Sequence, residues 1–368
     1  MRPVLARRIH ALQAEMAKAG MDAIVFADRE NLIYYAGTTD IECMAAVIPA
    51  EGMPILCCLW MDAPYVSERT GAERIIAYRF PASTIGLTIV EAMNQLGLKS
   101  PRVGFHKYFV EFAVFDAMRK AFPGMEFLPA TELTYRIRSR KDADELALMR
   151  KACSFVEAGM AAAVAAVHPG VTEVAVLAEA DYAMRKAGSE GAPFRMQVLT
   201  HDKQMLAHPY ASERVIDINQ PVVIHLGASC QGYVAKMCRT VALGTIPFET
   251  RRIYQVLAQA QALAVNLAVP GACSADIFDA VHALVAREGY GTQLIDHLGY
   301  GVGIRQSEFF PIIGRGLSHV LDDGMVIDLL LPTILKPGFG GPRVTDMVQV
   351  AAGGGMFMTH FTRDLIEK

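Results

Sequence analysis

The stretch Val222-Val223-Ile224-His225-Leu226-Gly227 is followed, four residues later, by Gly232-Tyr233-Val234-Ala235-Lys236-Met237-Cys238-Arg239-Thr240. Two apolar runs separated by a short segment that ends in glycine predict two neighbouring strands joined by a turn. Alternation along the second strand places Lys236 and Cys238 on one face and Met237 and Arg239 on the other.

A weak internal repeat surrounds the hairpin. In each copy a Pro-Gly turn precedes a helical segment with a polar residue at its start and a glycine at its end, and an apolar run follows. The distance from the Pro-Gly turn to the closing glycine is the same in both copies, which predicts a duplicated αβ unit with a cleft between its halves. The matching positions are Pro169-Gly170, Thr172, Gly188 and residues 222–226 in the first copy, and Pro270-Gly271, Ser274, Gly289 and residues 325–331 in the second.

The first third of the chain alternates short apolar runs with segments of helical periodicity, which predicts a separate α/β domain. The most charged stretch, residues 136–145, comes next, and apolar residues then recur at helical spacing. We therefore expect Ser139 to begin a capped helix just after a domain boundary, which gives domains 1–138 and 139–368. The helices predicted in the first domain are residues 5–19, 85–96 and 109–121, and the strands are residues 23–27, 45–48, 55–58, 74–79 and 102–105.

Composition describes a folded protein of 368 residues, 52% hydrophobic and 20% charged, long enough for two domains. A net charge of -3 without a basic run argues against nucleic acid as a partner. No apolar run approaches the roughly 20 residues needed to span a membrane. The seven cysteines include no CxxC pair, which argues against a disulfide framework or a zinc site and predicts a reducing, cytoplasmic location.

Further motifs follow the hairpin in a fixed order: Gly299-Tyr300-Gly301-Val302-Gly303, Ser307-Glu308 with Pro311, Gly324-Met325-Val326, and Arg343-Val344-Thr345-Asp346. Together with the hairpin they resemble the pita-bread family of creatinase, prolidase and methionine aminopeptidase. That family has I-D-x-G and G-Y-x-x-D-x-x-R-T at the hairpin, then G-H-G-I-G, H-E before P, a strand leading to E-P, and R-x-E-D. Residues 1–138 resemble the smaller N-terminal domain of its creatinase and prolidase branch. The resemblance covers almost the whole chain and implies an α/β (α+β) fold with a C-terminal pita-bread domain.

The resemblance fails at the metal-ligand positions. Metal-dependent members hold two metal ions with two Asp, one His and two Glu. The matching positions here are His225, Lys236, Tyr300, Leu330 or Leu331, and Thr345. A pair of divalent cations needs anionic oxygen ligands, and a protonated lysine has no lone pair and repels metal ions. The substitutions therefore predict no metal pair and no cofactor.

One catalytic element of the family is retained in the segment Leu206-Ala207-His208-Pro209. It resembles the A-H-N-P segment of creatinase, a metal-free amidinohydrolase of this fold whose histidine acts as acid and base, and so implies that role for His208. The creatinase glutamate at the position of Cys238 is absent here, as is the E-P glutamate. Ectoine hydrolase, another member with a reworked site, is therefore the better analogue for a small amide or amidine-like substrate.

In the register of the family, the face that carries Lys236 and Cys238 looks into the cleft. The catalytic candidates are then His208 as acid and base, Lys236 as a cation and Cys238 as a nucleophile, whose thiolate nearby positive charge would favour. The candidate substrate-binding residues are His225, Tyr300, Glu308 and Arg343.

Each candidate also has a structural interpretation. Lys236 can pair with Glu308, and Cys238 can be a small buried apolar residue. His225 can be a packed core histidine, and Tyr300 can fill the volume that the metal ions leave.

These residues predict a metal-independent hydrolase that cleaves a C–N bond, amide or amidine-like, of a small polar substrate. The alternatives are a lyase, a peptidase of the Xaa-Pro dipeptidase kind with an altered site, a single-metal enzyme that uses His225 and Cys238, or an inactive binding module. The resemblance also implies a homodimer in which the small domain of one subunit caps the cleft of the other. Residues 31–43, with Tyr34, Tyr35 and Asp40, are the expected contributors to the partner's site.

Overall fold

The computed structural model describes residues 1–106, 112–330 and 334–368. The chain divides into two units, Met1–Ile137 and Arg138–Lys368, so the division falls one residue before the predicted boundary. None of the helices in the described ranges is long and apolar enough to cross a bilayer.

The first unit contains one mixed sheet of six strands in the order β4-β3-β2-β1-β5-β6. Its core is formed by side chains such as Val25, Val47, Ile55, Ile89 and Val103, which the predicted strands and helices contributed. Residues 109–111 of one predicted helix lie outside the described residues. The elements are α1 (Pro3–Ala19), β1 (Ala23–Phe26), α2 (Arg29–Ala36), β2 (Ala45–Pro49), β3 (Ile55–Leu59), α3 (Ala63–Thr70), β4 (Ile75–Tyr78), α4 (Ile85–Gln95), β5 (Arg102–Phe105), α5 (Phe112–Ala121), β6 (Glu126–Pro129) and α6 (Thr131–Ser139).

The segment expected to reach a partner subunit is only partly at the surface of its own unit. Tyr34 and Tyr35 are buried, Tyr34 beneath the guanidinium of Arg8 at 4.1 Å and Tyr35 stacked on Phe26 at 5.0 Å. Asp40 is exposed and accepts a hydrogen bond from the Tyr65 hydroxyl at 2.6 Å. The two tyrosines therefore belong to the core of the unit, and only the end of the segment around Asp40 is available at the surface.

The second unit contains two sheets, β11-β10-β12-β13-β14 and β15-β9-β8-β7. The hairpin of the sequence analysis forms β8 and β9, which pair antiparallel so that His225 lies opposite Cys238 and Gly227 opposite Lys236. The elements are α7 (Ala143–Ala166), α8 (Glu173–Ala187), β7 (Gln197–Thr200), a 3-10 helix (His201–Met205), β8 (Gln220–Cys230), β9 (Tyr233–Leu243), α9 (Phe248–Leu267), α10 (Ser274–Arg287), β10 (His297–Gly301), β11 (Glu308–Gly314), β12 (Val326–Leu329), β13 (Asp346–Gln349), β14 (Met356–Phe357) and β15 (Ile366–Glu367).

Two predicted helix starts are displaced. Ser139 ends α6, and α7 instead begins with a capping box in which Asp142 and Glu145 each accept a hydrogen bond from the backbone of the other. Thr172 caps α8 as predicted. Ser274, however, is the first residue of α10, and its hydroxyl bonds to the backbone of residues 317 and 319 rather than to its own helix. The Ser274 hydroxyl, which local sequence assigns to capping, is therefore used in tertiary hydrogen bonds to the loop after β11.

A glycine allows two neighbouring strands of the five-stranded sheet to approach each other closely at the site. A side chain at Gly299 would overlap the backbone carbonyl of Asp328, so only glycine permits β10 to lie this close to β12. The approach lets the Asp328 carboxylate accept a hydrogen bond from the Tyr300 backbone N–H.

Candidate active site

A cavity of about 550 Å³ lies in the second unit, against the faces of β8, β9 and β10. Its walls mix basic, amide and aromatic side chains, and none of the lining residues that the structure describes is an aspartate or a glutamate. The lining residues are Phe194, Arg195, Gln197, Leu206, Ala207, His208, His225, Lys236, Ile295, His297, Tyr300, Gln306, Ser307, Leu335 and Arg343. Five of the seven predicted site residues therefore share one cavity: His208, His225, Lys236, Tyr300 and Arg343.

His208 lies in the loop after the 3-10 helix, with its side chain exposed at the cavity. Its carbonyl oxygen accepts a hydrogen bond from Arg195 Nη1 at 2.7 Å, and the Arg195 guanidinium stacks on the Tyr210 ring at 3.7 Å. The carbonyl oxygen of Pro209 accepts from Gln197 Nε2 at 3.2 Å. These contacts fix the backbone on both sides of the imidazole and leave the ring itself able to meet a ligand.

His225 lines the cavity from the middle of β8. Its ring lies 5.0 Å from that of Phe194, which covers it because Gly227 has no side chain in the way. Burial, together with the charges of Lys236, Arg343 and His208, holds the pKa of His225 well below its ordinary 6.5. The ring is therefore neutral at pH 7, and within the described part of the chain its Nε2 has no hydrogen-bond partner.

Lys236 is buried and forms an ion pair with Asp328, a residue of β12 that the sequence analysis did not identify. The expected alternative, a pair with Glu308, is wrong. The other carboxylate oxygen of Asp328 accepts from the Tyr300 backbone. Burial and the Asp328 charge raise the pKa of the Tyr300 phenol, which therefore keeps its proton at neutral pH.

Arg343 reaches the cavity from the segment before β13 and is 2% exposed. Its Nη1 donates to Gln197 Oε1 at 3.2 Å and its Nη2 to the carbonyl oxygen of Gln204 at 3.0 Å. Gln197 therefore connects two parts of the site, since its amide also holds the loop of His208.

Cys238 shares the strand face of Lys236, as alternation predicts, but it lies outside the cavity lining. Its side chain packs with Leu199 and Val223, and burial raises the pKa of the thiol to about 12. A buried, protonated thiol is a poor nucleophile, so this geometry favours the structural interpretation of Cys238.

Glu308 also lies outside the cavity lining. Its carboxylate pairs with the buried guanidinium of Arg138 and lies 3.6 Å from Lys141 Nζ. Burial raises the pKa of Glu308, but these two cations outweigh it and hold the pKa below its ordinary 4.5. The carboxylate is therefore committed to Arg138 and Lys141, which is unfavourable for the predicted substrate-binding role.

The positions that match the family's metal ligands do not suit a metal pair. In the described ranges, no group of three His, Cys, Asp or Glu side chains could hold a metal ion. The ammonium of Lys236 occupies one position in its pair with Asp328, and the Thr345 hydroxyl donates to the carbonyl oxygen of Leu330 at another. Leu331, the alternative counterpart of the lost glutamate, lies outside the described residues.

Three further cavity residues had no clear signal in the sequence. Gln197 and His297 are ordinary strand residues until β7 and β10 bring them to the wall. Arg195 lies two residues before Gln197 and only becomes relevant through its contact with the His208 loop. Strand alternation around residue 197 was the one signal that could have identified Gln197, because Gln197 lies opposite His225.

The fold and site define a protein of the creatinase and prolidase type, with an N-terminal creatinase-like domain and a pita-bread domain. Residues 8–140 match the creatinase/prolidase N-terminal domain, and residues 147–352 match metallopeptidase family M24. The chain therefore belongs to metallopeptidase family M24.

The chain also resembles individual proteins over nearly its full length. It is 28% identical to a putative dipeptidase, YkvY, of Bacillus subtilis (98% of this chain, 99% of the relative). It is 30% identical to an Xaa-Pro dipeptidase of Lactobacillus delbrueckii subsp. lactis (96% and 97%). The solved structure of an Xaa-Pro dipeptidase from Bacillus anthracis, 24% identical, superposes with a TM-score of 0.90 over 99% of this chain and all of that one.

Proposed function

We propose that this chain hydrolyses an amide C–N bond of a small, peptide-like substrate, and that it does so without a metal pair. The observation that carries the proposal is the single cavity that brings His208, His225, Tyr300 and Arg343 together without a lining carboxylate among the described residues. The dipeptidase names of the relatives support an amide as the scissile bond. The absence of the family's anionic ligands supports the metal-independent part.

In the proposed reaction His208 takes a proton from water as its oxygen attacks the carbonyl carbon. The same proton then passes to the leaving nitrogen as the C–N bond breaks, so that an acid and an amine are released. The Tyr300 phenol, which retains its proton, is suited to donate a hydrogen bond to the carbonyl oxygen as negative charge develops there. Lys236 acts through Asp328 by fixing the strand that carries Tyr300.

An open cavity with titratable side chains on its wall also supports this proposal over an inactive binding module, which needs no acid and base there. A filled or wholly apolar cavity would have favoured the module. The observed wall contains three histidines, His208, His225 and His297, beside Tyr300.

The test is an isotope experiment on the full-length chain. A panel of dipeptides, beginning with Xaa-Pro, is incubated in H₂¹⁸O after purification in a strong chelator, and the products are analysed by mass spectrometry. We expect one ¹⁸O in the acid product and unchanged turnover when the chelator is present. Products without ¹⁸O would indicate a lyase, and activity that depends on about two added metal ions per chain would overturn the metal-independent mechanism.

The homodimer with a capping small domain belongs to this proposal as well. The cavity is open, and an extended partner segment would shield the reacting groups from bulk solvent. The cytoplasmic location remains a prediction from the cysteine pattern.

A further inference from the structure

We infer that a second cavity of the C-terminal unit is a ligand site, and that it takes an uncharged molecule with an apolar ring and an amide N–H group. This cavity has a volume of about 500 Å³ and shares none of its described lining residues with the candidate active site. It lies between the 3-10 helix, the start of β8, the start of α9 and residues 337–340. The inference goes beyond the proposed function, and binding can be measured without turnover.

The first support is the side-chain amide of Gln204, which is fully buried and lines this cavity. Its Nε2 donates to the carbonyl oxygen of Leu199 at 3.2 Å and to that of Pro221 at 2.8 Å. Because both partners are acceptors, they fix which end of the amide carries the nitrogen. The remaining atom, Oε1, has no hydrogen-bond partner in the described part of the chain. A buried carbonyl oxygen in this state is costly, and an N–H group of a ligand would satisfy it.

The second support is the direction in which this oxygen points. Gly340 also lines the cavity, and a Cβ built on it would lie 2.5 Å from Gln204 Oε1. The oxygen is therefore turned toward a residue of the cavity wall, while the amide nitrogen is turned toward the strands. Any side chain at position 340 would collide with Oε1, so glycine is the residue that leaves the oxygen in this position.

The third support is the character of the rest of the wall. Of the lining residues that the structure describes, only Asp202 is charged, and its carboxylate already accepts a hydrogen bond from Arg214. A charged ligand would lose its hydration here without gaining a free counterion, which favours an uncharged one. The volume is in the range of about 300–1,000 Å³ that small-molecule sites occupy. A ring would pack against the apolar lining residues, Met205, Pro221, Pro247, Pro337 and Phe339.

Gln204 also connects this cavity to the candidate active site. Its main-chain carbonyl oxygen accepts a hydrogen bond from Arg343 Nη2 at 3.0 Å, and Arg343 lines the first cavity. One residue therefore presents its side chain to the second cavity and its backbone to a side chain of the first. A ligand that moves Gln204 changes the support of Arg343, so occupancy of one cavity should alter binding in the other. The consequence for turnover rests on the proposed function.

The experiment compares benzamide with acetophenone, which has a methyl group in place of the amide NH₂, by titration calorimetry on the full chain. We expect benzamide to bind roughly 3- to 10-fold more tightly, the range that one neutral hydrogen bond supplies. Benzoate and benzylammonium should bind more weakly than benzamide. Hydrogen exchange followed by mass spectrometry locates the site, and benzamide should slow exchange in residues 199–206 and 336–341.

Two variants and a control test the assignment. Gly340→Ala displaces Oε1 and should remove the preference for benzamide over acetophenone. Gly316→Ala is the matched control, because Gly316 has the same left-handed backbone, with φ of +68° against +76°, and lies outside the cavity lining. Met205→Trp fills the cavity from a half-buried position and should weaken both ligands. Thermal melting shows which variants fold, and Met205→Trp provides the test if Gly340→Ala does not.

Three results would overturn the inference: equal binding of benzamide and acetophenone, protection confined to residues 222–228 and 297–301 of the candidate active site, or no binding at millimolar concentration. The last would mean that the cavity holds solvent only. A chain that binds benzamide at this site but fails the isotope experiment supports the inference and refutes the proposed hydrolysis. Hydrolysis that bound benzamide leaves unchanged would refute the connection through Gln204.

Discussion

The ammonium of Lys236 contacts the carboxylate of Asp328, and both side chains are buried. Lys236 lies on β9 of the four-stranded sheet, whereas Asp328 lies on β12 of the five-stranded sheet. The second oxygen of Asp328 binds the Tyr300 backbone on β10. The pair thus connects the two sheets at a position where the metal-dependent members of the family place a metal ligand.

This ion pair should be strongly coupled. Lys236→Met leaves the Asp328 carboxylate buried without its cation, and breaking a buried pair in this way typically costs about 3–5 kcal/mol of unfolding free energy. Asp328→Asn alone should also destabilise, since it leaves the ammonium unpaired. The double variant should recover much of the loss. Chemical denaturation of the natural chain, the two single variants and the double variant gives a double-mutant cycle. Additive changes in unfolding free energy would show that the two groups do not interact.

His208→Ala should lower turnover of the identified substrate by roughly 10²–10⁴-fold, the usual effect of losing one acid and base. His208→Gln should be nearly as inactive, because an amide cannot relay a proton. The melting temperature should change little, since the imidazole is exposed. His168→Ala is the matched control, because His168 is also exposed and lies outside the cavity lining. Retention of most activity in His208→Ala would refute the assigned role.

Cys238 should be inert to alkylation in the folded protein. Its thiol is buried, and a pKa raised to about 12 leaves almost no thiolate at pH 8. Exposed Cys43 provides the internal control and should react readily with iodoacetamide. Peptide mass spectrometry distinguishes the two sites. Rapid labelling of Cys238 that tracks a loss of activity would revive its role as a nucleophile.

The stability of the second unit should depend on pH through Glu308. Its pKa is lower in the folded protein than its ordinary 4.5, so the folded state binds protons less readily than the unfolded state. The stabilisation is therefore complete above the unfolded pKa and is lost as the pH falls through the folded pKa.

Denaturation midpoints measured from about pH 6 to pH 3 should fall more steeply for the natural chain than for Glu308→Gln, which has no carboxyl group to titrate. The variant should be less stable at pH 6, because Arg138 and Lys141 lose their shared counterion. Parallel pH profiles for the two proteins would contradict the assignment.

Light scattering at micromolar concentration should give the mass of a homodimer. Asp40 is exposed at the end of the segment expected to cap a partner, so Asp40→Arg should weaken the dimer or reduce its activity. Glu51→Arg reverses another exposed charge of the same unit and should do neither. A stable monomer would refute the arrangement.

The strands and turns that carry the site could be predicted from the sequence, because glycines mark turns and alternating apolar residues mark strands within a short stretch of chain. Alternation placed Lys236 and Cys238 on the same face, and the structure agrees. Alternation does not show, however, how deeply each side chain is buried. Cys238 packs with Leu199 behind the cavity wall, whereas Lys236 lines the cavity. The burial of a strand residue depends on the elements that pack over that strand, and the local sequence pattern does not contain this information.

The partners of the buried charges were the least predictable feature. Asp328 is a single acid in an apolar run, and its cation comes from a strand far away in the chain. Glu308 was identified by a family motif, but Arg138 and Lys141 were assigned only to a charged domain boundary. Ion pairs between distant segments are decided by tertiary packing, which selects one of several possible partners.

The pairing of Lys236 with Asp328 also limits which residues position 236 can accept. The change Lys236→Asp, which introduces the family's usual residue, would place two carboxylates together in a buried space with neither a lysine nor a complete ligand set to neutralise them. Such like charges repel strongly, and one of them would have to take up a proton. A single substitution that restores a carboxylate at position 236 should therefore give a poorly stable protein, because the buried Asp328 needs a cation beside it.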